Sequence, residues 1–453
     1  MTQPPARTIT GARLDATDRP RLSWAAFGCL AAAGIAFIMW KGRGNAFFFD
    51  DWSWIEYRRT GVHAMLASYN QHLVIAPVAA YQLLLSTVGL AHYWPYRLLA
   101  ALAHLACAAA VFAYARRRIG PAAVLLAAPV VFLGAGWEAV LQPFNTVITA
   151  SLACGIAALL ALDRGDRRGD VIACVLLAAG LMFGEFVALF AVGVGVEVTW
   201  RDRSLRRAWI WAVALGLYAL WWIAYYHAYL SDHSLSLVPK FVANLAFSAA
   251  GGLFGRNLEV GRFVLLAVVA FVGWRVWRRG ALSPRLVTLA VIFGIYWVFV
   301  AYSRAALGQP YASRYVYSGA VMLVLIIAES CRGLRLSAPI LAAAGVVGAL
   351  ALIGNISAFD GGEDYLHTGS QTVSAEHGAL ELARGVVAPG FVLDPRWAPQ
   401  VIAGPYFAAV RAIGSTSAWS PAEISRASQS VRAAAAGVLT RAGASGVAAR
   451  LSG

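Results

Sequence analysis

Charged residues are scarce in this chain of 453 residues, in which Asp, Glu, Lys and Arg together make up 13% and apolar residues make up 60%. The mean hydropathy is +0.65. These values exclude an intrinsically disordered chain and an ordinary soluble domain, because neither class carries so much apolar surface. The composition therefore predicts a polytopic membrane protein.

Cysteine and lysine are also rare. The five cysteines lie in or at the ends of apolar segments, and no CxxC motif occurs, so we predict neither disulfides nor a thiolate metal site. Only Lys41 and Lys240 are lysines among the 37 basic residues, which together with the abundant Ala and Gly is typical of a GC-rich bacterial genome. A net charge of +15 would suggest nucleic acid in a soluble protein. Here the basic residues lie in short loops between apolar runs, which indicates a topological role and no nucleic-acid partner.

Two further features are missing from the sequence. It contains neither a G-x-x-x-x-G-K-[ST] motif nor a dinucleotide-binding fingerprint after a strand, which disfavours a cytoplasmic nucleotide-sugar donor and ATP-driven transport. No internal repeat is evident, so the repeat pattern of many transporters lacks support. No A-x-A cleavage site follows the first apolar run, 24–40, so we predict a retained helix.

The apolar runs predict an all-α fold with about eleven transmembrane helices. The predicted spans are 24–40, 98–115, 121–136, 146–162, 171–183, 186–199, 208–229, 262–277, 286–303, 315–330 and 338–356. If the further run 74–90 also crossed the membrane, five clusters of basic residues would lie on its external side. The positive-inside rule therefore favours a helix at 74–90 that lies in the outer interface.

This topology divides the chain into three parts. A cytoplasmic arm (1–23) precedes a membrane module (24–356), whose first external loop (41–97) carries interfacial helices at 52–68 and 74–90. An external tail (357–453) is predicted to form a small helical region, with helices at 374–387 and 421–440. Another interfacial helix is predicted at 235–253, and a tight turn at Gly184-Glu185 separates two short spans. We expect a multi-pass protein of the bacterial inner (plasma) membrane.

The first external loop opens with Phe47-Phe48-Phe49-Asp50-Asp51-Trp52-Ser53-Trp54. Two adjacent carboxylates among aromatic rings at a membrane boundary are costly to desolvate, which suggests a functional role. The alternative is that Asp50 and Asp51 cap a helix that starts at Trp52, while the aromatic rings form an interfacial belt.

Other polar residues are predicted on the same external face. They are His72, Glu138, Glu185, Arg304, Arg314 and Tyr315. A carboxylate in an apolar hairpin, such as Glu185, is costly unless it is solvated or used. Glu138 is equally compatible with a helix cap, His72 with a satisfied interfacial histidine, and Arg314 with an interfacial anchor.

The arrangement resembles the GT-C superfamily of integral membrane glycosyltransferases, which includes protein mannosyltransferases and lipid A aminoarabinose transferases. The resemblance rests on the acidic pair Asp50-Asp51 early in a long external loop and on an Arg-led second span, from Tyr96-Arg97 to the basic residues before Gly120. Many relatives carry Lys at the hairpin turn and Asp in the second external loop, where this chain has Glu185 and Glu138.

The resemblance implies inverting transfer of a sugar from a polyprenyl-phosphate donor to a hydroxyl of a glycan, lipid or protein acceptor, among membrane lipids. Asp50 or Asp51 would be the general base, with a slight preference for Asp51, and Arg304 or Arg314 would bind the donor phosphate. A divalent cation, Mg²⁺ or Mn²⁺, held by the two aspartates is left open.

Two other functions are compatible with the sequence. One is a transporter or flippase of a lipid-linked glycan, and the other is a non-catalytic membrane subunit whose tail binds a partner. A transport path predicts polar residues in the middle of several spans, whereas here they gather near one face. That distribution favours chemistry at the interface.

Overall fold

The computed structural model describes residues 18–57, 61–70, 72–226 and 235–452, so most of the predicted arm at 1–23 lies outside the described residues. The first half of the chain contains α1 (Asp18–Lys41), α2 (Asp50–Tyr57), α3 (Val62–Leu66), α4 (Ile75–Thr87), α5 (Trp94–Ile119), α6 (Ala123–Val131), α7 (Trp137–Leu141), α8 (Thr146–Leu162), α9 (Arg167–Leu181) and α10 (Phe186–Asp202). The second half contains α11 (Trp209–Tyr225), α12 (Val238–Gly252), α13 (Leu258–Arg279), α14 (Pro284–Arg304), α15 (Ser313–Cys331), α16 (Ala338–Leu382), β1 (Val392–Asp394), β2 (Ala398–Ile402), α17 (Ala403–Ile413), α18 (Pro421–Arg426), α19 (Gln429–Arg441) and α20 (Ser445–Ser452).

The fold is that of a helical membrane protein, as predicted. Within the described residues, seven helical runs are long and apolar enough to cross a bilayer. Helix α5 shows how the sequence determines where such a helix begins and ends. A proline in its first turn favours the start, basic residues in the last turn complement the helix dipole, and Gly120 ends the helix at a φ of +64°.

Charged side chains join the helices at one end of the bundle, which we call the basic end. Arg116 at the end of α5 donates a hydrogen bond to Ser23 near the start of α1. Arg118, in the same turn, pairs with Asp163 after α8 and with Glu329 of α15, both at 2.8 Å. Further pairs at this end are Arg117–Asp163, Arg285–Asp163, Arg285–Glu197 and Arg207–Asp170. The loops that carry the predicted cytoplasmic clusters thus share one end with the start of α1.

Helix α4 lies across the opposite end of the bundle. The amide of Ala76, in its first turn, donates to the carbonyl oxygen of Met182 in the α9–α10 turn at 2.6 Å. Just past its other end, the amide of Leu90 donates to the Ser415 hydroxyl of the tail. A helix of 13 residues is only about 20 Å long, which is too short to span a bilayer. A short helix thus lies within the run 74–90, and its position in the interface stays a prediction.

The hairpin between α9 and α10 is present where the sequence placed a turn. Helix α9 ends at Leu181 and α10 begins at Phe186. Gly184 is required in this turn because a Cβ atom there would approach a side-chain carbon of Val147 to 2.6 Å. The turn therefore presses against α8 and holds Glu185 at the end opposite the basic end.

Helix α16 differs from the prediction because it continues without a break from the predicted span at 338–356 into the predicted tail helix at 374–387, and it ends at Leu382. Its 45 residues correspond to about 67 Å, roughly twice the thickness of the hydrocarbon core. Apolar and small residues continue on one face of its second half, where Phe359 and Leu366 are buried. That face packs onto protein rather than lipid, which removes the reason for the helix to stop at the membrane surface.

The tail differs from the prediction in two other respects. It contains an antiparallel hairpin of β1 and β2, although only helices were predicted there. The helix predicted at 421–440 is two helices, because Ser420 caps α18 and Ser428 starts a new cap for α19. The tail packs on the first loop, where the Trp52 ring lies 4.3 Å from that of His377 and 5.4 Å from that of Tyr406.

Helix α12 packs along the bundle, whereas the sequence predicted an interfacial helix at 235–253. A Cβ on Gly252 would contact Val316, and a Cβ on Gly319, one turn further along α15, would contact Ala249. These two contacts set α12 antiparallel to α15. Small residues permit this close approach, which hydropathy alone does not reveal.

Candidate active site

A cavity of about 570 Å³, which we call the first cavity, lies at the end opposite the basic end. Most of the residues that the sequence singled out line it. They are Asp50, His72, Glu138, Glu185, Arg304, Arg314 and Tyr315. These residues come from the first loop and from four other segments of the chain, so the fold brings together groups that the sequence could only assign to the same face.

Asp50 is the carboxylate of the acidic pair that faces the first cavity. It begins α2, and Tyr69 donates a hydrogen bond to its Oδ1 at 2.5 Å. Burial raises the pKa of Asp50, while the Tyr69 hydroxyl and the positive charge of Arg314 act in the opposite direction. The preceding residue, Phe49, has a φ of +54°, which is unusual for a bulky side chain and marks a strained turn at the edge of the site.

Asp51 points away from the first cavity. Its side chain is buried and accepts hydrogen bonds from the hydroxyls of Tyr81 and Tyr93 and from the amide of Phe48. Burial raises the pKa of Asp51 to about 7. Asp51 therefore anchors α2 against α4 and α5, and the slight preference for Asp51 as the base has no geometric support.

The two aspartates do not converge as ligands of one cation, since Asp50 faces the first cavity and Asp51 is held by three donors. Throughout the described ranges, no group of three or more His, Cys, Asp or Glu side chains is arranged to hold a metal ion. The residues at the acidic pair thus do not fit the divalent cation that the sequence left open.

The Asp51 side chain should make stability depend on pH. Its folded-state pKa of about 7 exceeds the ordinary value of 3.8, so the native state retains a proton that the unfolded state loses. The contribution of this proton to the free energy of unfolding is fully present below pH 3.8, the ordinary pKa of aspartate, and is lost as the pH rises through about 7. Between pH 5 and 8, we expect wild type to lose roughly 2 kcal/mol relative to Asp51→Asn in unfolding experiments in detergent. Parallel stability curves for the two proteins would contradict this assignment.

Glu138 and Arg314 form an ion pair in the wall of the first cavity. The Glu138 carboxylate accepts from the Arg314 backbone amide at 3.0 Å and from its Nη1 at 3.2 Å. The Ser313 hydroxyl accepts a hydrogen bond from the amide of Glu138. These contacts fix the start of α15 to the start of α7, and much of the Arg314 charge is already compensated.

His72 and Glu185 form a second pair. The His72 Nδ1 is hydrogen-bonded to Glu185 Oε1, which joins the first loop to the α9–α10 turn. The other carboxylate oxygen, Oε2, is buried and has no hydrogen-bond partner in the described part of the chain. An uncompensated acceptor in the cavity wall is suited to accept a hydrogen bond from a bound hydroxyl.

Arg304 differs from Arg314 because no carboxylate pairs with it among the described residues. Its Nη2 donates to the carbonyl oxygen of Asn70 at 3.0 Å. The remaining donors of the guanidinium are available to an anion in the cavity. Of the two arginines that the sequence left open, Arg304 thus has more donors available to an anion.

Several lining residues were missed by the sequence reasoning. Tyr69 and Asn70 were not assigned, although they lie next to His72 in a tight turn with two backbone hydrogen bonds between Tyr69 and His72. Their position next to the polar residue His72 is a signal in the sequence that could have identified them as part of the site. Tyr365 and Gln309 also line the cavity. Tyr365 reaches it only because α16 is continuous, and no local pattern indicates this.

No family model, curated protein or solved structure matches this chain.

Proposed function

We propose that this protein is a membrane glycosyltransferase of the GT-C type that transfers a sugar from a polyprenyl-phosphate donor to an acceptor hydroxyl, with inversion. One observation carries the proposal: a half-buried carboxylate with a raised pKa, Asp50, lines the same cavity as Arg304, which has no carboxylate partner among the described residues. An acid–base group and a free cation are what a transfer with a phosphate leaving group requires.

The reaction assigns one role to each group. The acceptor oxygen attacks the anomeric carbon of the sugar, and Asp50 takes the hydroxyl proton as the new carbon–oxygen bond forms. The bond from the anomeric carbon to the phosphate oxygen breaks, and its electron pair leaves with polyprenyl phosphate. Arg304 stabilises that anion, so no general acid is needed. The raised pKa of Asp50 makes it a stronger base than an exposed aspartate.

The remaining wall of the first cavity is suited to a lipid-linked donor. Apolar side chains from α8, α10 and α14 line it beside the charged groups, namely Val147, Ile148, Leu189, Phe299 and Val300. Phe299 is 47% exposed on the outside of the bundle, so this wall continues to the surface that faces lipid. The first isoprene units of a polyprenyl chain match such a surface.

The proposal is tested by incubating the purified protein with a panel of polyprenyl-phosphate sugars and measuring the release of polyprenyl phosphate. We expect release with at least one donor and inversion of the anomeric configuration in the product. Movement of an intact lipid-linked glycan across liposomes, without release, would instead support the flippase alternative and contradict the transferase.

Arg304→Ala should weaken donor binding. Charge-assisted hydrogen bonds contribute about 1.5–3 kcal/mol, so we expect the donor KM to rise about 10- to 100-fold. Arg304→Lys, which keeps the charge without the planar fork, should fall between that variant and wild type. Arg43→Ala is the matched control, because Arg43 is an exposed arginine at the same end of the bundle, beside Trp40. An equal rise in both alanine variants would refute the phosphate role.

The proposed location is the bacterial inner membrane, with the basic end in the cytoplasm and the first cavity outside. The convergence of the basic loops at one end supports this orientation. Reporter fusions after Arg118 should read cytoplasmic, and fusions in the tail should read external. The reverse pattern would place the cavity on the cytoplasmic side.

A further inference from the structure

A second cavity, of about 550 Å³, lies beside the first. Three residues, Glu138, Gln309 and Tyr365, line both cavities and thus form a shared wall. The Glu138 carboxylate and the Arg314 guanidinium both influence the pKa of Asp50, so this wall lies near the proposed base. A molecule held in the second cavity is therefore adjacent to the place where the sugar would be transferred.

Aromatic rings surround the second cavity. Trp137 and Tyr365 lie with ring centroids 5.5 Å apart, and Tyr311 lines the opening with 67% of its surface exposed. Rings grouped at a cavity mouth form a surface on which a ligand can pack. The apolar C–H faces of a sugar ring stack on such rings while its hydroxyls remain free for hydrogen bonds.

Within the part of the chain that the structure describes, two polar groups in the second cavity lack partners. The hydroxyl of Ser248, in α12, is buried, with 4% of the residue exposed, and has no hydrogen-bond partner in the described ranges. Arg256, in the turn between α12 and α13, lines the cavity and forms no ion pair with any described carboxylate. A buried orphan hydroxyl indicates a missing polar ligand, and an unpaired guanidinium selects an anionic one.

We propose that the second cavity binds the acceptor as an anionic saccharide, which stacks on Tyr311 and Trp137, pairs with Arg256 and extends a hydroxyl past the shared wall toward Asp50. The acceptor role rests on the proposed glycosyltransferase function, whereas saccharide binding does not require it. None of these residues belongs to the acidic pair or to the groups assigned to the donor phosphate.

The test measures binding directly, by calorimetric titration of the full-length protein in detergent with trigalacturonic acid and with neutral maltotriose. We expect wild type to bind trigalacturonic acid at least about tenfold more tightly than maltotriose, and Arg256→Ala to lose that preference. Tyr311→Ala should weaken both at least about tenfold, and Tyr311→Phe, which keeps the ring, should restore binding. Arg411→Ala, at an exposed arginine in the tail, should bind as wild type does.

The two proposals fail separately. The saccharide site is overturned if neither saccharide binds, and also if Tyr311→Ala and Arg256→Ala both bind as wild type does. In either case the transferase proposal stands as long as polyprenyl phosphate is still released. If both variants lose binding but wild type transfers no sugar from any donor, the acceptor role is overturned together with the transferase.

Discussion

Asp50→Asn should lower the rate of sugar transfer by about 10²- to 10⁴-fold, because the acceptor hydroxyl loses the group that takes its proton. The amide is nearly isosteric and still accepts the hydrogen bond from Tyr69, so the fold should be retained. The measurement is polyprenyl phosphate release at saturating donor. In wild type, kcat/KM should fall as the pH drops through the raised pKa of Asp50, at a higher pH than for an exposed aspartate.

Asp51→Asn is the matched control for this prediction. An asparagine oxygen accepts from the Phe48 amide and its NH₂ donates to the Tyr81 hydroxyl, which rotates to accept, so the anchor survives. Transfer should stay within about tenfold of wild type, well short of the loss expected for a missing base. If Asp51→Asn loses activity and Asp50→Asn does not, the roles are reversed, and equal full activity in both variants would end the catalytic proposal.

Arg285→Ala should destabilise the protein more than other single changes at the basic end. Arg285 is buried and pairs with Glu197 at 2.6 Å and with Asp163 at 3.0 Å, which joins α14 to α10 and to the end of α8. Removing the cation takes one charged partner from the buried Glu197, which keeps Arg201, and one from Asp163, which keeps Arg118. Losing these charge-assisted hydrogen bonds should cost about 1.5–3 kcal/mol. We expect the melting temperature in detergent to fall by about 2–3 °C.

Arg164→Ala provides the comparison, since its pair with Asp166 is exposed on both sides and should leave the melting temperature nearly unchanged. Glu197→Gln should also destabilise the protein, because Arg285 then loses one charged partner in a buried setting. A melting temperature of Arg285→Ala equal to that of Arg164→Ala would show that the bundle does not depend on this cluster.

Charge and hydropathy sufficed to predict much of the fold. The common end of the basic loops, the short helix at 74–90 and the turn at Gly184-Glu185 follow from the cost of burying charge and from the length that a bilayer requires. These rules do not predict how the helices pack against one another. The course of α12 depends on small residues such as Gly252 that fit against a particular neighbour, and nothing in the sequence identifies that neighbour.

In the candidate site, too, some features could be predicted from the sequence and others depend on how the segments pack. The sequence selected His72, Glu138 and Glu185 because polar groups near an apolar boundary are costly, and all three line the first cavity. It did not separate Asp50 from Asp51, because the direction of each side chain depends on Tyr69, Tyr81 and Tyr93 in other segments. Nor did it show that Arg314 is paired with a carboxylate, whereas Arg304 pairs with none of the carboxylates in the described ranges.

The continuity of α16 bears on how this protein can be divided. The boundary predicted between membrane module and tail, at 356/357, falls inside that helix. Tyr365, which belongs to the shared wall of the two cavities, lies beyond the boundary, as do Asp360 and Glu363, which hold Lys41 at the end of α1. A chain truncated at residue 356 therefore loses part of the cavity wall and a clamp on its first helix, so the tail cannot be removed as a separate module.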